Sequence, residues 1–136
     1  MALLLRSPQR LSPGPGILAN RRQAEPGLLR ILSRARRRKT PLLLLRLNLN
    51  PAPHQAPERC RPFLLGLAAG VRMHDLCWWD EECGSLLLLL EEAESEIPVV
   101  ERLERRAQAS GLELRLVTAR FPEQGLTLQA LVEAVA

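Results

Sequence analysis

Arg34, Arg36, Arg37, Arg38 and Lys39 place five positive charges within six residues, the densest set of groups in this chain able to act on another molecule. Such a run neutralises phosphates, displaces counterions and so binds nucleic acid without sequence preference. No aromatic residue is interleaved to stack on a base, so phosphate contact is all it offers. The plainer alternative is a solvated basic stretch: arginine outnumbers lysine 18 to 1 and tyrosine is absent, a bias that GC-rich coding produces without selection for function.

Two further sets have ligand chemistry. Cys60, His74, Cys77 and Cys83 are four soft donors, and zinc takes four of them in a tetrahedron. Only His74 and Cys77 have the short spacing of paired zinc ligands, so His74, Cys77 and Cys83 are weak zinc candidates beside the simpler reading of small buried thiols. Cys77 precedes Trp78 as at the start of a thiol protease, but no histidine follows His74 to act as base, which excludes nucleophilic cysteine chemistry. Glu91, Glu92, Glu94 and Glu96 form an acidic cluster in which Glu92 and Glu94 are the candidates for holding Mg²⁺. Favourable negative charge at a helix start accounts for the same acids without a metal.

The elements that would position these acids are the clearest in the chain. Leu86 to Leu90 is a continuous apolar run of a length that suits a buried strand. Pro98 then falls inside the first turn of a helix from about Glu96 to Ala109, with Ile97, Val100, Leu103 and Ala107 on one side. Gly111 sits where a left-handed cap belongs, and Leu112, Leu114 and Leu116 alternate with Glu113 and Arg115 at strand period. Strand, helix, strand is the βαβ order, which predicts a parallel pair with the helix packed across it. A single kinked helix over Leu86 to Ala109 is the alternative, since Leu86, Leu89, Leu90, Ala93 and Ile97 also fit a helical period.

With the loop of Pro122 and Gly125 and the leucine-rich helix behind it, this stretch of about fifty residues resembles the later part of a toprim nucleotidyl domain. The resemblance implies Mg²⁺-dependent nucleotidyl transfer or hydrolysis, with Glu92 and Glu94 in place of the family's paired aspartates. The family's preceding strand, ending in a glutamate, has no counterpart here.

Charge and proline divide the chain. Residues 1–62 hold 13 of the 19 Lys and Arg, only Glu25 and Glu58 as acids, and nine of the eleven prolines; residues 63–136 carry a net charge of −7. This predicts a basic, Pro/Arg-rich and largely disordered arm over 1–62, and a small acidic α/β domain over 63–136 with a βαβ-like unit and a C-terminal helix. Within the arm, Leu28 to Lys39 reads as a short helix and Leu42 to Leu49 as a strand, before the linker of Pro51, Pro53 and Pro57. In the body, Pro62 opens a helix over Phe63 to Met73, His74 to Ser85 is a loop, and Thr127 caps the last helix.

Three cysteines make no disulfide scaffold, so a reducing, cytoplasmic setting is the default. No apolar run has the length of a membrane span or a signal core, which predicts a soluble chain; the Arg-rich start leaves organelle targeting open. The function these features favour is a non-enzymatic accessory or interaction protein whose basic arm contacts nucleic acid non-specifically, with no cofactor. A core this small predicts a protein partner or homo-oligomer. The metal-dependent toprim-like reading is the alternative. A weakly selected chain without a defined activity is a further one.

Overall fold

The protein is described by a computed structural model covering residues 16–70, 75–91, 96–125 and 127–136. Its elements run β1 Ile17–Leu18, α1 Arg21–Arg38, β2 Leu42–Asn50, α2 Pro57–Gly70, β3 Leu76–Asp80, β4 Ser85–Glu91, α3 Ile97–Ala109, β5 Glu113–Phe121 and α4 Leu128–Ala134. The strands form a single mixed sheet in the order β1-β3-β4-β2-β5. β1 lies parallel to β3, and the other neighbours are antiparallel.

Strand alternation sends successive side chains to opposite faces, and each face carries its own helices. Leu43, Leu45 and Leu47 of β2, with Leu86, Leu88 and Leu90 of β4, pack with Phe63, Leu64 and Leu67 of α2 and Leu103 and Ala107 of α3. On the opposite face, Leu42 and Leu44 of β2 and Leu87 and Leu89 of β4 pack with Leu28, Ile31 and Leu32 of α1 and Leu131 and Val132 of α4. The two leucine runs are therefore one structural fact. A strand covered on both sides has no polar face, so it reads as an unbroken apolar string.

The mixed α/β class is as the sequence predicts, and the stretch from Leu86 onward is strand, helix, strand. β4 and β5 share a direction because both run antiparallel to β2, but they are not neighbours: β2 lies between them. Gly111 has φ +68°, the left-handed conformation the cap position requires. Thr127 accepts a hydrogen bond from Ala130 N at 3.1 Å and starts α4.

The expected arm is corrected. Residues 17–50 supply β1, α1 and β2, and the boundary expected at residue 62 falls inside α2. Pro62 does not open that helix; Pro57 does, one turn earlier. α1 begins well before Leu28, capped by Asn20, whose side chain accepts from Gln23 N at 2.8 Å. Its Gly27 permits a close approach to the sheet, since a Cβ there would come within 2.8 Å of Leu76 Cδ1. The predicted loop over His74 to Ser85 contains β3, which carries both tryptophans. Residues 1–15 lie outside the described part. Among the described residues no helix is long and apolar enough to cross a membrane.

Candidate functional site

The β3–β4 hairpin and the start of α1 meet in a tightly bonded polar cluster. Trp78 and Asp80 point to the same face of β3, two residues apart, and Trp78 Nε1 donates to Asp80 Oδ1 at 2.9 Å. Arg21, on the first turn of α1, grips the same carboxylate with two bonds: Nε to Oδ1 at 2.6 Å and Nη2 to Oδ2 at 2.7 Å. Cys83 N adds a fourth at 3.0 Å. Burial pushes the Asp80 carboxyl up, but bonds from Arg21, Trp78 and Cys83 outweigh it and hold the group well below its ordinary value. Arg21 is correspondingly raised, chiefly by its hydrogen bond to Asp80. It also pairs with Glu82 at 3.1 Å, while its backbone N–H donates to Glu81 Oε1.

A second cation stands behind this cluster on the same face of the sheet. Arg46 of β2 donates from Nε to Ser85 Oγ at 2.9 Å, from Nη2 to the Cys83 carbonyl at 2.9 Å, and from Nη1 to the carbonyls of Val135 and Ala136. One central side chain thus fastens the hairpin to the end of the chain.

Between α1 and α4 runs a groove of about 620 Å³. Leu29 and Leu32 from α1 and Leu128 and Val132 from α4 give it an apolar floor, with Glu25 and Arg36 on one wall and Gln129 and Glu133 on the other. Leu29 is 63% exposed there, an unusual position for a large apolar side chain. A comparable hollow of about 650 Å³ between α3 and β5 is lined chiefly by charged groups, among them Glu101, Glu104, Arg105 and Glu113.

No protein-family model matches the sequence, and no curated protein matches it. Solved structures do. A DGC protein from Thermotoga maritima superposes with a TM-score of 0.70 at 17% identity, over 86% of this chain and 95% of that one. The fold is that of the GGDEF domains. A microbial GGDEF domain whose interaction with cyclic di-GMP has been described matches with a TM-score of 0.66 at 18% identity, covering 92% of this chain and 84% of that one. The diguanylate cyclase SiaD from Pseudomonas aeruginosa, in complex with its activator SiaC, matches with a TM-score of 0.65 at 16% identity, over 98% of this chain and 57% of that one.

In this GGDEF-like fold the basic run is the C-terminal turn of α1. Cations there face the partial negative charge of the helix end, which gives them a structural reason to be present. Arg34 is turned inward onto the buried Glu91 in a two-pronged pair, Nε to Oε1 at 2.9 Å and Nη2 to Oε2 at 2.8 Å. Arg37 and Arg38 are exposed, and Lys39 closes the helix with φ 56°. The expected accessory protein with a nucleic-acid-binding arm is therefore overturned: the residues it relied on belong to a helix packed on the sheet, and the matching structures are GGDEF domains.

Of the zinc candidates, Cys77 and Cys83 are not brought together. Cys77 is wholly buried against α2 and α3, its thiol pushed up to about 12 by desolvation, whereas Cys83 lies in the hairpin turn against the other core. His74, Glu92 and Glu94 lie outside the described residues. Among the described residues no three His, Cys, Asp or Glu side chains assemble as metal ligands. The toprim-like alternative is corrected with the rest: the sheet carries β2 antiparallel between the two parallel strands, and the structures it matches are GGDEF domains. Sequence reasoning missed Arg21, Asp80 and Arg46. Only the i, i+2 pair of Trp78 and Asp80 was locally legible; Arg21 lies 59 residues from its partner.

Proposed function

We propose that this chain is a guanine-nucleotide-binding domain that works with ligands of the cyclic di-GMP class. The observation that carries the reading is the likeness of its whole sheet and helix arrangement to a GGDEF domain that interacts with cyclic di-GMP. Binding, rather than synthesis, is what the described residues favour. Their hairpin carboxylate is already held by four donors, and no trio of metal ligands assembles to steady a transferring phosphoryl group. No two glycines are adjacent anywhere in the sequence, so the Gly-Gly-Asp-Glu-Phe run spelled by the name of these domains does not occur.

Calorimetric titration of the full chain with cyclic di-GMP and with GTP tests this. Saturable binding of at least one, without turnover of GTP in the presence of Mg²⁺ or Mn²⁺, is the expected result. Formation of cyclic di-GMP from GTP would replace the binding reading with a catalytic one, and no heat with either ligand at millimolar concentration would remove it.

A protein partner or a second copy of the chain is the companion reading, supported by the activator bound to SiaD and by the exposed apolar side chains Leu65, Ile97 and Val117. Light scattering across a concentration series tests the self-association half, and a monomer throughout would remove it.

A further inference from the structure

We infer that the outer edge of β5, with the hollow between it and α3, is a docking site for an extended lysine- or arginine-bearing segment of a partner protein, taken up as a further strand of the sheet. This rests on the protein-partner reading above, gives it a place and a chemistry, and is independent of the nucleotide reading.

The backbone shows which groups the edge offers. Arg120 turns away from β2: its N–H donates to Gln124 Oε1 at 2.9 Å, and its carbonyl accepts from Gln124 N at 2.8 Å. In an antiparallel ladder successive residues face alternate sides, so Thr118, Leu116 and Leu114 also direct their N–H and C=O groups away from β2. Beyond them, Leu112 N donates back to the Ala107 carbonyl at 2.8 Å. The window from Leu114 to Thr118 is therefore bounded at both ends and open between; among the described residues nothing pairs with its outward groups. A strand laid there gains roughly six main-chain hydrogen bonds.

The side chains select the occupant. Leu114 and Leu116 pack on the α3 side of the sheet, where Thr118 Oγ1 donates to Glu96 Oε2 at 2.8 Å. Residues of an added strand level with these three project the same way, towards the hollow of about 650 Å³ that Ala107, Leu112 and Leu114 give an apolar floor. Glu101 and Glu104 stand exposed on its α3 wall, with Arg105 the single cation among its described lining residues. No ion pair or hydrogen bond among the described residues engages either carboxylate. A lysine or arginine can lay its methylene stem over the leucines and bring its charge to the two glutamates. On the opposite face Val117, 42% exposed, receives an apolar residue. A second copy of β5 fits less well. It would bring Leu114, Leu116 and Thr118 where cations are wanted, and set one acidic α3 wall beside another.

The probe is a fluorescein-labelled heptapeptide of alternating lysine and valine. It is compared with its glutamate–valine counterpart and with two versions N-methylated at alternate residues, one in each phase. Anisotropy is read against the full chain, the double variant Glu101→Gln/Glu104→Gln, and Glu58→Gln on α2 as control; thermal unfolding establishes that each variant is folded. The expected result is saturable binding of the lysine peptide, weakened by about tenfold or more in the glutamate peptide and in the double variant, and unchanged in the control. One N-methylated phase should lose binding and the other keep it, because only one set of amides faces β5; attraction by charge alone would treat the two alike. Equal affinity of both phases, or a double variant that binds as the wild type does, would overturn the site. No peptide binding by a chain that light scattering shows to self-associate would remove this surface and leave the companion reading standing. A monomer that binds no peptide would remove both.

Discussion

Asp80 is fully buried yet charged, and its four donors are what make that state tolerable. Removing Arg21 would leave the carboxylate with two neutral donors and no countercharge. Arg21→Ala is therefore expected to destabilise the fold by about 3 kcal/mol, measured by urea unfolding at neutral pH. The pH dependence has a definite sign. Because the native carboxyl is held below its ordinary value of 3.8, its stabilisation is complete above that value and is lost as pH falls through the lower native one. Between about pH 5 and pH 2 the wild type should lose stability steeply. Asp80→Asn should be less stable at neutral pH and follow a flatter curve over the same range. Parallel curves for the two proteins would show that Asp80 does not titrate with folding.

At the scale of the element, β2 and β5 differ in what covers them. β2 is central, and Leu45 is fully buried between β4 and β5. Among the described residues β5 pairs only with β2, and its Leu114 and Leu116 are half-buried while Glu113, Arg115 and Val117 are exposed. Leu45→Ala is expected to cost about 2–5 kcal/mol as a core cavity. Leu114→Ala should cost about 1 kcal/mol, because the edge can close around the loss and water already reaches it. Chemical denaturation midpoints compare them directly. Equal losses would mean that β5 is covered by a second chain in solution. The alternation that identified β5 was legible because one of its faces meets water; the same signal was missing from β2, where both faces are buried, and from β3, which is only five residues long.

At the scale of the molecule, the sheet cannot be divided at residue 62. A chain beginning at Pro62 would lack β1, α1 and β2, and so the strand that joins β4 to β5. It is expected to show no cooperative thermal transition and collapsed NMR dispersion, whereas a chain beginning at Gly16 should unfold cooperatively. A stable domain from the shorter chain would restore the two-part organisation. Trypsin should cut slowly across Arg30 to Arg38 in the native protein, since helical backbone must open locally before it fits a protease.

The charge asymmetry between the halves is real, but it measures side chains and not order. Net charge and proline content mark a chain that cannot bury enough apolar surface, and here residues 17–62 contribute Leu28, Leu32 and the leucines of β2 to the core. The sequence alone determined the strand–helix–strand after Ser85, the caps at Gly111 and Thr127, and the mixed α/β class, because periodicity and capping act over a few residues. Tertiary structure alone decided that an antiparallel strand separates the two parallel ones, that Arg34 serves Glu91 and Arg21 serves Asp80, and that two helices distant in sequence enclose a groove. Those outcomes depend on which apolar faces cover one another across many tens of residues, and no local pattern records that choice.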